Sequence, residues 1–146
     1  MTGEKIYEYD LDITGVTDFG VSMESILAGK KNVPPQGARF DVGFEGHATG
    51  RLSGRVRGID YLRMRADGRV DLDIRLTIET GDGFRIALSA DGVSVLRPGE
   101  PIADLCENVT LTTAAEGYAW VNTHQIWGVG SVNLATGKIH IDAYMQ

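Results

Sequence analysis

Apolar and polar residues alternate in short stretches along most of this chain, and turns that contain glycine separate the stretches. An alternation of period two places successive side chains on opposite faces of a β-strand. The first stretch, Lys5 to Ile13, has acidic residues on one face and carries on the other Tyr7, Tyr9, Leu11 and Ile13. No long amphipathic helical pattern interrupts the series. The sequence therefore predicts an all-β protein built from consecutive antiparallel strands.

Asp-Gly pairs mark three of the expected turns, at Asp67-Gly68, Asp82-Gly83 and Asp91-Gly92. Asp-Gly between alternating stretches is the strongest short-range signal of a β-hairpin. Later strands are expected at about 108–113, 118–134 and 138–145, after a loop at 97–104, and the last two are joined across Thr136-Gly137. About nine strands are compatible with a sandwich or a barrel. The tight hairpins favour an antiparallel up-and-down β-barrel.

The segment near residues 18–35 departs from the strand pattern. Ser22 to Leu27 fits one or two helical turns, with Ser22 as the N-cap and Gly29 just past the end. Pro34-Pro35 follows and cannot donate a continuous hydrogen-bond ladder. We expect this short helical or irregular segment to close one mouth of the barrel.

Composition narrows the classes of function. A length of 146 residues predicts one domain, 1–146, and a net charge of −6 without a Lys or Arg run argues against nucleic-acid binding. Because no stretch of the chain reads as a signal core or a membrane span, we expect a cytoplasmic protein without a membrane partner. Cys106 is the single cysteine, so paired-thiol metal and redox motifs are excluded.

Several stretches resemble domain-of-unknown-function family 3237. The likeness runs from about residue 37 to the C-terminus, and its most specific part is Tyr118-Ala119-Trp120-Val121-Asn122. Other matching stretches are Gly37-Ala38-Arg39, Gly58-Ile59-Asp60-Tyr61, Arg65-Ala66-Asp67-Gly68 and residues 75–83. The resemblance implies a lipocalin- or avidin-like barrel with a central cavity, and it implies no agreed activity. The helical insertion near 18–35 is longer than the family pattern.

One candidate constellation is an Asp-Arg pair across the hairpin at Asp67-Gly68. A two-residue turn there would put Asp60 directly opposite Arg75, on a face that continues to Glu79. Two alternatives stay open. Either this polar face is solvated and the apolar face forms the core, or it lines a polar lumen in which burial raises the pKa of the carboxylates. A slip of one residue in the turn exchanges the faces.

A second constellation lies on the expected strand from Tyr118. In a strand, one face of this stretch carries Tyr118, Trp120, Asn122 and His124, which resembles a ligand pocket. An aromatic core strand is the alternative. Arg39, within the Gly37-Ala38-Arg39 stretch, is a further candidate ligand-binding residue.

Together these residues suggest acid-base chemistry. We predict a cofactor-independent lyase or isomerase with Asp60, Arg75 and His124 as catalytic residues. Its ligand would be a small hydrophobic or aromatic molecule. The ligand-binding residues would be Arg39, Glu79, Tyr118, Trp120 and Asn122.

Two other hypotheses remain open: a non-catalytic carrier of lipocalin type, and a structural subunit that forms a homodimer through exposed sheet edges. We expect no cofactor. We also expect no metal, because His47, His124 and His140 lack close ligand spacing.

Overall fold

Eight antiparallel strands pair in chain order, and the last strand returns to pair with the first. The computed structural model describes all 146 residues. The strands are β1 (Glu4–Asp18), β2 (Ala38–Gly50), β3 (Gly54–Met64), β4 (Arg69–Thr80), β5 (Arg85–Leu96), β6 (Ile102–Thr112), β7 (Ile126–Asn133) and β8 (Lys138–Met145). This closed up-and-down barrel confirms the predicted fold class, with eight strands instead of about nine.

Closure follows from the alternation, because each strand turns its apolar face inward and every strand edge finds a partner. A cluster of 24 buried hydrophobic residues fills much of the interior, and Tyr7, Tyr9 and Leu11 of β1 belong to it as the alternation predicts. The outer face carries nearly all of the charged residues. Neither helix of the chain has the length and apolar character needed to cross a bilayer.

The hairpin between β3 and β4 is present, but its predicted register is wrong. Arg65 and Arg69 close a loop of three residues, not two, in which Gly68 takes a φ of +90°. The extra residue moves the pairing by one position, so Ile59 lies opposite Arg75 and Asp60 lies opposite Ile74. Asp60 therefore faces the lumen, whereas the polar face of β4 is directed to solvent.

The predicted turn at Asp91-Gly92 is also wrong. β5 continues through this pair to Leu96, and β6 begins at Ile102, six residues earlier than the expected strand at 108. Gly92 pairs with Glu107 of β6 and has a φ of +157°. A Cβ atom on Gly92 would lie 2.1 Å from the carbonyl oxygen of Cys106, so the close approach of the two strands requires glycine.

A short helix crosses the end of the barrel where β1 finishes, which we call the open end. Helix α1 (Met23–Leu27) begins after Ser22, whose hydroxyl accepts a hydrogen bond from the Ser25 amide at 3.1 Å. The predicted N-cap and helical segment are confirmed. Met23 and Ile26 pack on a small buried cluster around Phe40, separate from the main core.

The opposite, closed end is covered by a 3₁₀ helix, Glu116–Thr123. The sequence predicted one strand over 118–134, which is wrong for residues 118–123, whereas the later part is β7. The Asn122 side chain accepts from the Thr113 amide at 2.8 Å and donates to the Thr113 carbonyl at 2.9 Å. These bonds fold the chain back across the barrel end, and Val121 becomes fully buried in the main core.

Candidate functional site

A cavity of about 280 Å³ occupies the half of the barrel nearest the open end. Hydrophobic residues make up 20 of the 24 that line it, and α1 contributes Met23, Ile26 and Leu27. Eight-stranded barrels are wide enough to hold one small ligand, and ligand pockets typically start at about 300 Å³. The cavity therefore suits one small, mostly apolar molecule that contacts α1.

Asp60 is one of two carboxyl groups in the cavity wall. Its side chain is buried, and its Oδ1 atom accepts a hydrogen bond from the Asp73 amide at 2.9 Å. The ladder between β3 and β4 is interrupted there, between the pairs Asp60–Ile74 and Arg63–Asp71. The carboxyl group thus satisfies a backbone donor in the interrupted ladder, and its second oxygen, Oδ2, is left to act on a ligand.

Glu107 supplies the second carboxyl group, from β6 on the other side of the lumen. Its residue is 5% exposed, and its Oε1 atom has no hydrogen-bond partner. Both of its cross-strand neighbours are glycines, Gly92 on β5 and Gly128 on β7. A Cβ atom on Gly128 would lie 3.3 Å from Oε1, so these glycines leave the room that the carboxyl group occupies.

The environment separates the pKa values of the two carboxyls. Burial raises the pKa of Asp60 to about 6, and the Asp73 amide opposes the rise. Burial, together with the negative charge of Asp60, raises the pKa of Glu107 to about 8. Around neutral pH, Asp60 is therefore ionised while Glu107 keeps its proton. Such a split between neighbouring groups is how proteins assign a base and an acid within one site.

Two tyrosines of β1 lie close to the carboxyl pair. Tyr9 lines the cavity, and the ring of Tyr7 stacks on it with 5.5 Å between centroids. Burial and the charge of Glu107 hold both phenol pKa values well above the usual range, so both hydroxyls stay protonated. The hydroxyl of Tyr7 has no hydrogen-bond partner. The inner part of the barrel thus holds two polar side chains with unsatisfied atoms, Tyr7 and Glu107, and unsatisfied buried polar atoms are uncommon in native proteins.

Of the predicted site residues, Asp60 alone lines this cavity. Arg75, with a side chain 69% exposed, lies on the outer face, 3.6 Å from Asp73. Glu79 pairs with Arg57 at 3.1 Å on the same outer surface. Both placements follow the alternative in which the polar face of β4 is solvated, and the one-residue change of register puts Asp60 on the opposite face from Arg75.

Arg39 also lies outside the barrel. It bonds Asp41 at 2.9 Å and covers the rings of Phe19 and Tyr61.

The predicted residues of the 118–124 stretch lie at the closed end. Tyr118 donates to Asp82 at 2.8 Å, and Trp120 lies under the guanidinium of Arg51 at 3.8 Å. The His124 Nδ1 atom lies 2.8 Å from the Trp120 carbonyl oxygen. Asn122 makes its two bonds to Thr113, so the four side chains do not form the pocket expected from a strand.

Sequence reasoning missed Glu107, Tyr9 and Ser94 as cavity residues. The signal for Glu107 is present, because it interrupts an inward series of apolar residues in β6: Ala103, Leu105, Val109 and Leu111. The expected loop ends at 104 and the expected strand begins at about 108, so Glu107 is assigned to neither. A carboxylate at an apolar position of an alternating strand is the pattern that identifies both Glu107 and Asp60.

One cluster on the outer face has the composition of a metal site. Ligand atoms of Glu8, His140 and Asp142 lie within 4.8 Å of one another. The ammonium of Lys5 bonds the same carboxylates, at 2.5 Å to Glu8 and 2.9 Å to Asp142. A lysine already supplies the positive charge at this position, so the cluster forms a surface ion-pair network.

The closed barrel and its apolar cavity together define a lipocalin-like β-barrel protein. A family model described as "Protein of unknown function (DUF3237)" matches residues 17–146. The chain belongs to this family, as the sequence resemblance indicated. No curated protein matches the chain.

Solved structures with the same fold come from bacteria and a fungus. A protein with unknown function from Clostridium acetobutylicum ATCC 824 has 18% sequence identity and a TM-score of 0.81 over 99% of both chains. A beta-barrel like protein from Acinetobacter baumannii AYE has 20% identity and a TM-score of 0.76, covering 99% of this chain and 94% of that one.

An enzyme from Penicillium herquei has 19% identity and a TM-score of 0.66, with 100% and 97% covered. At these identities the likeness of the three structures concerns the fold.

Proposed function

We propose that this protein is a cofactor-independent isomerase or lyase that moves a proton within a small cyclic or aromatic molecule. The observation that carries the proposal is the pair of buried carboxyl groups, Asp60 and Glu107, in the wall of an otherwise apolar cavity. Burying carboxyl groups without a cation destabilises a fold, so their presence calls for a function. One structural relative carries the description of an enzyme, which agrees with catalysis on this fold.

The two pKa values assign the roles. Asp60, with a pKa of about 6, is ionised at neutral pH and serves as the general base. Glu107, with a pKa of about 8, is protonated and serves as the general acid. Tyr9 lines the same cavity and supplies an aromatic surface and a hydroxyl. Arg75 and His124, which lie outside the cavity, have no part in this mechanism.

The reaction step conserves atoms and electrons. The Asp60 carboxylate removes a proton from the carbon beside a carbonyl group, and the electrons of the C–H bond form a C=C bond. The carbonyl oxygen receives the proton of Glu107, which gives an enol. In a β,γ-unsaturated ketone this enol is a dienol, so return of the proton from Asp60 to the γ-carbon, and of the enol proton to Glu107, completes an isomerisation. In a ketone with a leaving group on the β-carbon, that C–X bond breaks instead, the leaving group takes the proton of Asp60, and the enol proton returns to Glu107, which completes an elimination.

Deuterium exchange tests this step without knowledge of the natural substrate. The protein in D₂O is expected to exchange the hydrogens beside the carbonyl of a cyclic ketone such as tetralone, detected by mass spectrometry. The rate should rise with pH as Asp60 ionises near 6 and fall as Glu107 loses its proton near 8. Asp60→Asn keeps the acceptor for the Asp73 amide and should lower the rate by at least about a hundredfold.

The matched control is Asp91→Asn, an exposed aspartate on the outer face that bonds Asn108. It should exchange like the wild type. Equal exchange rates for Asp60→Asn and the wild type would overturn the mechanism. Glu107→Gln should lose the decline in rate near pH 8, because the group responsible for it is gone.

A non-catalytic carrier is the second candidate, and the apolar lining favours it, with 20 of 24 residues hydrophobic. A carrier binds a ligand and changes nothing in it. Ligand-dependent thermal stabilisation of the protein without deuterium exchange, over a panel of cyclic ketones, would support this candidate over the enzyme.

A further inference from the structure

The charges of this protein are divided between the outside and the inside of the barrel. None of its 14 lysines and arginines and none of its three histidines is buried, and none lines the cavity. The ionisable groups in the cavity wall are Asp60, Glu107 and the phenol of Tyr9. All three become negative when they lose a proton.

The acidic groups outside the barrel contrast with this pair. Asp41, Asp67 and Asp104 each bond an arginine within 3 Å. No cation is present for Asp60 or Glu107, and the Glu107 Oε1 atom has no hydrogen-bond partner at all. The cavity therefore has a negative or neutral interior, with an unsatisfied polar atom available to a ligand.

We propose that the cavity selects its ligand by charge and takes an uncharged apolar molecule with a single oxygen-bearing head, to the exclusion of carboxylates, phosphates and sulfates. This proposal rests on the proposed function, because both concern the same cavity. The oxygen of a carbonyl or hydroxyl head can accept a hydrogen bond from the protonated carboxyl group, while the other carboxyl group stays ionised. The apolar lining receives the rest of the molecule.

An anionic head meets two obstacles in this cavity. It loses its hydration and gains neither a cation nor a group of backbone N–H donors. It also faces a carboxylate of the same charge in an interior where water screens charges poorly. Ionisation of Asp60 and then of Glu107 strengthens the repulsion as the pH rises. This excludes acyl phosphates, nucleotide-linked thioesters and free fatty acids as ligands.

A protonated amine is also disfavoured. It has the opposite charge, but it must leave water for a wall that offers two carboxyls, the Ser94 hydroxyl and the Tyr9 hydroxyl as polar partners. Entry costs the desolvation of the ammonium, and the wall returns only part of it, because the one ionised carboxylate, Asp60, already accepts a hydrogen bond from the Asp73 amide. An uncharged head avoids that cost.

Three isosteric ligands test the proposal: acetylnaphthalene, naphthoate and naphthylmethylamine. Dissociation constants are measured by isothermal titration calorimetry at about pH 5, 7 and 9. At pH 7 the ketone is expected to bind at least about tenfold more tightly than naphthoate, and the difference is expected to widen at pH 9. The amine should bind more weakly than the ketone at pH 7.

Neutral variants of the pair provide the decisive comparison. Glu107→Gln and the double variant Asp60→Asn/Glu107→Gln should improve naphthoate binding at pH 9 by at least about tenfold relative to the change that the same variant causes in ketone binding. A merely structural role of the two residues would change the binding of both ligands alike. Glu45→Gln, an exposed carboxylate of β2, is the matched control and should leave all three affinities unchanged.

The outcomes separate this inference from the proposed function. Wild-type binding of naphthoate equal to that of the ketone, or tighter binding of the amine than of the ketone at pH 7, would overturn the charge selection. Ketone binding in the expected order without deuterium exchange would retain the charge selection and overturn the enzyme. Naphthoate affinity that stays the same in both neutral variants would show that the carboxyl pair does not select the ligand.

Discussion

Glu107 has an unusual position in the sequence pattern, unusual packing and a central part in the proposed chemistry. It occupies an inward position of β6 that an apolar side chain would fill with less cost to stability, and glycines on both neighbouring strands make room for it. Its carboxyl group is buried beside an unsatisfied Tyr7 hydroxyl and has an unsatisfied oxygen of its own. The arrangement lowers stability locally, as is common at functional sites.

The raised pKa of Glu107 predicts how stability depends on pH. The folded pKa of about 8 lies above the ordinary value of 4.5, so the folded state binds more protons between these values. The free energy of unfolding therefore falls as the pH rises through this range. Glu107→Gln removes this loss, so the variant should be more stable than the wild type at pH 9. The gain should be several kcal/mol, because each pH unit between the folded and unfolded pKa values corresponds to about 1.4 kcal/mol.

Urea unfolding at pH 5 and pH 9 measures this difference. At pH 5 the glutamine variant and the wild type should agree within about 1 kcal/mol, because Glu107 is then uncharged in the folded state. Glu45→Gln should show no change in pH dependence relative to the wild type, since that side chain is exposed. A glutamine variant less stable than the wild type at pH 9 would contradict the assigned pKa.

At the scale of the strand, alternation predicted an all-β protein and indicated which side of β1 faces inward, and the tight hairpins favoured a barrel over a sandwich. It could not predict the register of β3 and β4. A single residue in the loop after Arg65 decides whether Asp60 or Ile59 lies opposite Arg75, and Asp-Gly occurs in two-residue and three-residue loops alike. Asp60 was predicted as a site residue, but with the wrong partner, and Glu107 was missed because β6 begins six residues before the expected strand.

The 3₁₀ helix shows a different limit of sequence reasoning. Its residues alternate as a strand would, yet they cover the closed end because Val121 enters the core and Asn122 holds the Thr113 backbone. Val121 and Asn122 make these contacts with residues outside the 3₁₀ helix. The alternation of apolar and polar residues within the segment does not indicate such contacts. Tertiary packing overrides the intrinsic preference of such short segments.

Asn122 is therefore expected to act on stability. Asn122→Ala removes two hydrogen bonds to the Thr113 backbone and should lower the free energy of unfolding by about 1 to 2 kcal/mol. Ligand affinity should not change, because Asn122 does not line the cavity. Asn108→Ala, which removes one exposed bond to Asp91, should cost under about 0.5 kcal/mol.

Urea unfolding and ligand titration together check this prediction. Loss of ligand binding in Asn122→Ala at unchanged stability would instead assign Asn122 to the ligand, as the strand interpretation of the sequence predicted.

At the scale of the whole molecule, the two halves of the barrel differ in packing. The half near the closed end is filled by side chains such as Leu52, Ile86 and Val121, each fully buried. The half near the open end holds the cavity, and the five-residue helix α1 forms part of its wall. The well-packed half supplies stability, and the half that lacks packing supplies space for a ligand.

The same substitution in each half tests this division. Ala103 lines the cavity, whereas Ala90 is buried in the core without lining it. Ala103→Leu places added carbon atoms in empty apolar space and should keep or raise the free energy of unfolding by up to about 1 kcal/mol, because the new atoms gain contacts. Ala90→Leu overfills a packed region and should lower it by about 1 to 3 kcal/mol.

Ligand binding is expected to respond in the opposite order. Ala103→Leu occupies space that the ligand needs and should weaken acetylnaphthalene binding by at least about tenfold, whereas Ala90→Leu, if folded, should bind nearly as the wild type does. Urea unfolding and calorimetric titration measure the two effects on the same samples. Equal destabilisation by both substitutions would mean that the open half is as tightly packed as the closed half, and the cavity would then be too small for the proposed chemistry.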